Sequence, residues 1–271
     1  MTEKNKSFKV VVCIKQVPDT DDIKWTEHNT IQRDGLDSII NPYDLGALQL
    51  AKNVKFLNPE TEIIVVTMGP KQAENALKTA LAIGADKVFL LSDKKFSGAD
   101  TLATAYTLSQ FIKIIVPDFK LIICGQQAID GDTAQTPSSM AEKLGIEQIT
   151  NVIALKELTD KTSVWIKDTS RFKQEIKIPY PALIATTLKD TDIIADINGY
   201  IKAQNTQVSV LTADEIHADD NLIGLKGSPT QVRKAFKAVI ERNTTLIENE
   251  SVENCAGYIT DEINRCKAQN D

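Results

Sequence analysis

The feature that most constrains this fold is the recurrence of short, continuous apolar runs, each followed by a longer segment with apolar residues at helical spacing. Four such runs occur in the first half of the chain: Phe8–Ile14 (FKVVVCI), Glu62–Met68 (EIIVVTM), Lys87–Leu91 (KVFLL) and Leu121–Cys124 (LIIC). They are too short for buried helices and lack the alternation of a half-exposed strand, so they read as strands covered on both faces, as in a parallel sheet. Between them, Leu45, Leu48 and Ala51, then Ala73, Ala76, Leu77, Ala80 and Leu81, then Leu108, Phe111, Ile112 and Ile115 mark one face of successive helices. Asn41-Pro42-Tyr43-Asp44 reads as a helix start, with Pro in the first turn and Asn as a cap for the exposed amides. Gly84 and Gly145 read as helix stops. Strand–helix alternation of this kind predicts an α/β fold with a doubly wound, mainly parallel sheet. Ligands of such sheets bind beyond the carboxyl ends of the strands, here the loops after the first, second and fourth runs.

The pattern changes after about residue 150. Val152–Leu158, Ser163–Lys167, Gln174–Ile178 and Leu183–Thr187 read as short strands that extend the sheet with antiparallel edges. Ile193–Ala203 reads as a helix and Val208–Leu211 as a last strand. Thr26–Leu36 reads as a polar hairpin turning at Asp34-Gly35. From Asp214 the chain becomes polar, and Leu246–Lys267 has only sparse apolar positions. The expected organisation is an α/β domain over 1–211 and a C-terminal extension over 212–271 that is either a frayed terminus or an arm that docks on something else.

Several functions are disfavoured. The net charge of −6 over 271 residues argues against nucleic-acid binding. No run approaches the ~20 apolar residues that span a bilayer. The polar N-terminus lacks a secretion signal's apolar core, so a cytoplasmic location is expected. Cys13, Cys124, Cys255 and Cys266 form no CxxC pair and only His28 and His217 accompany them, so no metal site is expected. Cys13 and Cys124 read as buried reduced thiols.

The loop Gly125–Pro137 carries the most chemistry. It follows a buried strand and precedes a helix, which aims free amides at whatever sits there and favours an anion. Gly131 lets a phosphate approach the backbone, and Thr133, Gln135 and Thr136 offer side-chain donors. Asp130 and Asp132 are poor phosphate neighbours, so one of them is expected to hold the loop's own amides or a ribose hydroxyl. An Asx-type turn that merely caps the helix accounts for the same residues. Neither the P-loop nor the GxGxxG pattern is present.

In order and spacing, the segments VVCIKQVPDT (11–20), NPYDLGALQLA (41–51), VTMGP (66–70), TALAIGADKV (79–88), CGQQAIDGDTAQ (124–135) and GLKGSPTQV (224–232) resemble the β subunits of electron-transfer flavoproteins. The resemblance implies a nucleotide-binding domain of the adenine-nucleotide-hydrolase-like type, with a C-terminal arm that embraces an α subunit. It implies nucleotide contacts at Cys13, at Asn41, Pro42, Tyr43 and Asp44, and at Met68. It further implies that Gln126, Gln127, Ala128, Ile129, Asp130, Gly131, Asp132, Thr133, Ala134, Gln135, Thr136 and Pro137 wrap the phosphates. No catalytic residue is expected of such a subunit, whose chemistry belongs to its cofactor.

Family members of one kind hold AMP as a structural ligand. Those of the bifurcating kind hold a second FAD that takes a hydride from NADH and splits the electron pair. Asp130-Gly131-Asp132-Thr133-Ala134-Gln135 resembles the second kind, since Gly131 and Ala134 leave room and free amides for a second phosphate. The expected cofactor is therefore FAD, with AMP as the alternative and NAD(H) as transient donor or acceptor. The expected partners are an α subunit, a flavin-dependent dehydrogenase and ferredoxin. A stand-alone adenine-nucleotide sensor on the same fold is the competing class. The chain departs from the family at TPSSMAE after the loop. It departs again at 190–200, where the usual NEPR-type stretch is replaced and Ile197 is the nearest equivalent of an apolar anchor for the dehydrogenase. Ile193, Ile194 and Ile197 also fit a core-facing helix stripe.

Overall fold

The computed structural model describes residues 8–19, 38–189, 191, 193–232, 246–248 and 250–268. The Thr26–Leu36 hairpin expectation lies outside them. The chain separates into two compact units, Met1–Arg233 and Lys234–Asp271.

The first apolar run forms β1 (Phe8–Cys13). A two-stranded antiparallel excursion of β2 (Gln16–Pro18) and β3 (Ser38–Ile40) leads to α1 (Pro42–Leu57). Then come β4 (Thr61–Met68), α2 (Glu74–Ile83), β5 (Lys87–Leu91), α3 (Thr101–Ile115), β6 (Leu121–Gly125) and α4 (Thr136–Leu144). A meander of β7 (Glu147–Leu158), β8 (Thr162–Asp168) and β9 (Lys173–Pro179) precedes β10 (Ala182–Thr186), α5 (Ile197–Asn205) and β11 (Ser209–Leu211). Among the described residues these strands make a nine-stranded sheet in the order β11-β5-β4-β1-β6-β10-β7-β8-β9. Every pairing from β11 to β7 is parallel, and β7–β8 and β8–β9 are antiparallel.

The expected doubly wound α/β sheet is therefore present. Side chains alternate along β1: Val10 and Val12 enter one core with α1, α2 and Ala203 of α5, and Val11 and Cys13 enter the other with α3 and α4. Burial on both faces is why the strands carry unbroken apolar runs. Glycines end two helices as expected, Gly84 at φ 135° and Gly145 at φ 65°. Cys13 and Cys124 are buried free thiols in the second core, and burial pushes both thiols well above their ordinary pKa.

Three expectations change. The strand expected near Leu183–Thr187 is not an edge: β10 lies in the interior, parallel to both β6 and β7, and all five of its residues are buried. Its unbroken Ala-Leu-Ile-Ala run fits that place, whereas the mixed polarity of β8 and β9 fits the antiparallel margin. The helix expected at Ile193–Ala203 begins at Ile197, because Asp196 caps it by accepting from the Gly199 amide. Of the isoleucine stripe only Ile193 packs on the core; Ile194 and Ile197 are 78% and 80% exposed. Beyond residue 211, Ala213, Ile216 and Ile223 are buried in the second core, so this stretch is part of the α/β unit. In the second unit, α6 (Val252–Ala268) leaves Val252, Tyr258, Ile259 and Ile263 exposed.

Gly46 fixes how closely α1 approaches the chain leaving β10, since a Cβ there would lie 1.8 Å from the Leu188 carbonyl oxygen. Helix propensity alone favours Ala over Gly by about 1 kcal/mol. We expect Gly46→Ala to destabilise the protein instead, by roughly 1–3 kcal/mol from overpacking, as a lower denaturation midpoint in urea. A midpoint equal to or above wild type would show that α1 does not pack this tightly.

Candidate functional site

The chain runs outward from β1 through β4 to β5 and later resumes on the other side of β1 with β6. The two connections diverge at the carboxyl ends of β1 and β6, the topological switch point where an open α/β sheet leaves a crevice. The residues around this point are those singled out from the sequence, and side-chain hydrogen bonds tie several of them together.

Asp44 is the clamp. It sits in the first turn of α1, buried, with one carboxylate oxygen accepting from the Lys15 amide at 2.8 Å and the other from the Gly125 amide at 3.0 Å. One side chain thus ties the residues just after β1 and at the end of β6 to the start of α1. The approach is so close that Gly125 must be glycine: a Cβ would lie 2.4 Å from the Asp44 carboxylate and 2.7 Å from Tyr43 Cβ. Burial pushes the Asp44 carboxyl up to about 7. The Lys15 and Gly125 amides, the Asn41 side chain and the Lys15 charge pull the other way.

Asn41 is 1% exposed. It occupies the N-cap position of α1, but its side chain does not cap the helix. Its amide nitrogen donates to the Gln127 carbonyl at 2.9 Å and its oxygen accepts from the Ile129 amide at 3.2 Å. It behaves as a strip of backbone laid against the loop, and the capping role expected from sequence is replaced by a tertiary one. Pro42 and Tyr43 are half-buried beside it, with the Lys189 ammonium 5.9 Å from the Tyr43 ring centroid.

The loop after β6 is anchored at both ends. The Gln126 amide donates to the Thr186 carbonyl, and the Gln126 side-chain oxygen accepts from the Asn151 amide. At the far end, Thr101 at the start of α3 donates to the Gln135 side chain at 3.0 Å. Between them, the Gly131 and Asp132 amides turn back onto the Ala128 carbonyl. Of the expectation that Asp130 or Asp132 holds the loop's own amides or a ribose hydroxyl, the first half is not met among the described residues: Asp130 accepts from the Lys15 ammonium at 2.6 Å, and Asp132 accepts from the Gln127 side chain. Asp132 and Ala134 have left-handed backbone, φ 50° and 52°. Among the described residues, the amides of Thr133, Ala134 and Gln135 find no backbone acceptor, and no side chain caps α4. By contrast, Asp100 and Asp196 cap α3 and α5. Gly131, Asp132, Thr133 and Gln135 are exposed, Ala134 and Thr136 half-buried, and Pro137 buried in the first turn of α4.

Cys13 and Met68 stand apart from this network. The Cys13 side chain is in the core, at the carboxyl end of β1. Met68, at the end of the adjacent strand β4, is half-buried and packs on the second core. Sequence reasoning missed Lys15, whose position straight after a buried strand was the available signal, and Thr101, which nothing in the sequence marked.

We expect Asp44→Asn to lower stability by roughly 1–3 kcal/mol, because its amide nitrogen faces a backbone donor that then lacks an acceptor. The raised carboxyl sets the pH dependence. The folded state keeps its proton where the unfolded chain, near the ordinary 3.8, has lost it. This contribution is fully present below that ordinary value and is lost as pH rises towards about 7. The difference between wild type and Asp44→Asn should therefore shrink over this window in denaturant titrations; a constant difference would show that Asp44 does not titrate there.

A family model described as "Electron transfer flavoprotein domain" matches residues 28–216. The chain is 42% identical over 237 residues to the electron transfer flavoprotein subunit beta of Megasphaera elsdenii, covering 84% of this chain and 87% of the relative. It is 36% identical over 258 residues to the caffeyl-CoA reductase-Etf complex subunit CarD of Acetobacterium woodii, covering 94% and 98%. Protein FixA of Sinorhizobium fredii is 36% identical over 263 residues, covering 94% and 91%. With its mainly parallel sheet, its strand-order reversal between β1 and β6 and these likenesses over most of its length, the chain belongs to the electron-transfer flavoprotein family, among its β subunits.

Proposed function

We propose that this chain binds FAD at the crevice beyond β1 and β6 and serves, with an α subunit, in NADH-linked bifurcating electron transfer to or from a flavin-dependent dehydrogenase. The observation that carries the reading is the uncapped amide cradle of Thr133, Ala134 and Gln135 at the start of α4, beside the open loop at Gly131. Unsatisfied amides at a helix N-terminus suit a phosphate, and left-handed residues such as Asp132 and Ala134 shape the concave amide nests that hold anions. Gly131 favours a dinucleotide over AMP. Its φ does not require glycine, and a Cβ there would meet nothing within 4 Å. The protein's own packing therefore leaves this glycine unexplained, while a second phosphate close to the backbone accounts for it.

The residues present fit such a group. The loop Gln126–Pro137 would hold the phosphates through its backbone, with the Asp130 carboxylate turned away onto Lys15, and Asn41–Asp44, Met68 and the backbone at Cys13 would line the rest of the crevice. Bound there, the flavin would supply hydride and single-electron chemistry. The chain's own share is to bind and orient it. Asn41 fixes the loop, Asp44 fixes its root, and the Tyr43 ring with Lys189 closes one side.

The partner reading rests on the relatives. The Acetobacterium protein is named as a subunit of a caffeyl-CoA reductase complex, which supports a dehydrogenase-type partner. Exposed Ile194 and Ile197 at the start of α5 are suited to insertion into such a partner, and the exposed apolar residues of α6 to docking on the α subunit. Ferredoxin would be the low-potential acceptor. A cytoplasmic location fits these partners, and among the described residues no helix is long and apolar enough to cross a membrane.

Nucleotide released from the complex co-purified with its α subunit tests the reading. Two FAD and no AMP per pair are expected; one FAD with one AMP would leave a structural β subunit in a non-bifurcating carrier. We further expect Gly131→Asp to keep stability within about 0.5 kcal/mol, as for surface substitutions generally, while the β-subunit FAD is lost. Full FAD retention in that variant would remove Gly131 from the site.

A further inference from the structure

The loop that is to receive an anion carries carboxylates of its own. Asp130 and Asp132 lie within it, and Asp44 lies at its root. A dinucleotide's phosphates would be repelled by an unmasked carboxylate among the amides. Asp132 is engaged by the Gln127 side chain, and Asp44 by two backbone amides. Asp130 is the remaining one. Its side chain is 3% exposed, and among the described residues its carboxylate has a single donor, the Lys15 ammonium at 2.6 Å. Lys15 itself is 41% exposed, so this cation keeps contact with solvent while the anion is buried against it. The lysine is placed by the Asp44 clamp, which binds its amide. A carboxylate buried with one counter-ion is strongly disfavoured when that counter-ion is removed. Without Lys15 it would turn out towards water, into the loop where phosphate is to lie.

We propose that Lys15 is a positioning residue of the dinucleotide site: it holds the Asp130 carboxylate out of the amide cradle and so leaves the cradle open to phosphate. The inference rests on the nucleotide reading given above and assigns within it a residue that touches the loop rather than the ligand.

The test uses the complex with the α subunit, stripped of nucleotide and titrated with FAD at low and at high salt. The Lys15→Met variant should bind FAD on the order of tenfold more weakly, the scale of coupling within one ionic network. The loss should be larger at low salt, where repulsion is less screened. The Lys15→Met, Asp130→Asn double variant should recover binding to within about threefold of wild type, since no carboxylate remains to be masked. The Asp130→Asn variant alone should bind FAD at least as tightly as wild type, and it reads the same point should Lys15→Met fold poorly. A double variant as weak as Lys15→Met would overturn the proposal and make Lys15 a direct phosphate contact. Loss of FAD in Asp130→Asn would overturn it by making Asp130 a ligand in its own right. Should the wild-type complex take up AMP and not FAD, the same series is read with AMP, whose phosphate poses the same electrostatic problem. A wild-type complex that takes up neither sinks the nucleotide reading and this inference with it, an outcome distinct from either variant pattern.

Discussion

Everything at the crevice hangs on one buried carboxylate. The Asp44 side chain holds the amides at the ends of two neighbouring parallel strands, and so sets where the connections after β1 and β6 leave the sheet. A parallel sheet leaves the last amides of its strands without ladder partners, and where they are buried they need an acceptor from elsewhere. Here the acceptor comes from the first turn of α1, where the helix dipole also favours a negative group. The arrangement forces glycine at 125 and places Lys15 and Asn41 against the loop. The site is thus a by-product of satisfying backbone amides at a strand switch.

Asp100 caps α3 and also binds the amide and hydroxyl of Thr230, so it fixes the stretch leading out of the α/β unit. Asp196 caps α5. By contrast α1, α2 and α4 are left without side-chain caps, although Asn, a favoured cap, stands at the right position of α1. An uncapped helix start gives up about 1 kcal/mol of stability, and a bound anion can supply what the cap would have.

Much of the architecture was legible because burial on both faces writes itself into a strand as an unbroken apolar run. β1, β4, β5 and β6 were readable to within about a residue or two, as boundaries usually are at best. The interior place of β10 was not read, although its Ala-Leu-Ile-Ala run carried the signal, because strand order depends on pairings that sequence spacing leaves open. α5 starts four residues after the first isoleucine of the apolar stripe, because Asp196 caps it there. At the site, the loop and the Asn41–Asp44 segment were legible from residue type and position. The roles within them were not: Asn41 reads locally as a cap, and only the Gln127 carbonyl and Ile129 amide beside it show otherwise.

By itself the sequence determined the fold class, the strands that carry the crevice and the residue types around it, because these follow from local periodicity and from which side chains tolerate helix starts and turns. Tertiary structure decided which of those residues touch. Lys15 and Asp130 stand 115 positions apart and Asp44 and Gly125 stand 81 apart. No local preference predicts either pair, since each exists only because parallel pairing of β1 with β6 brings the two loops to one edge of the sheet.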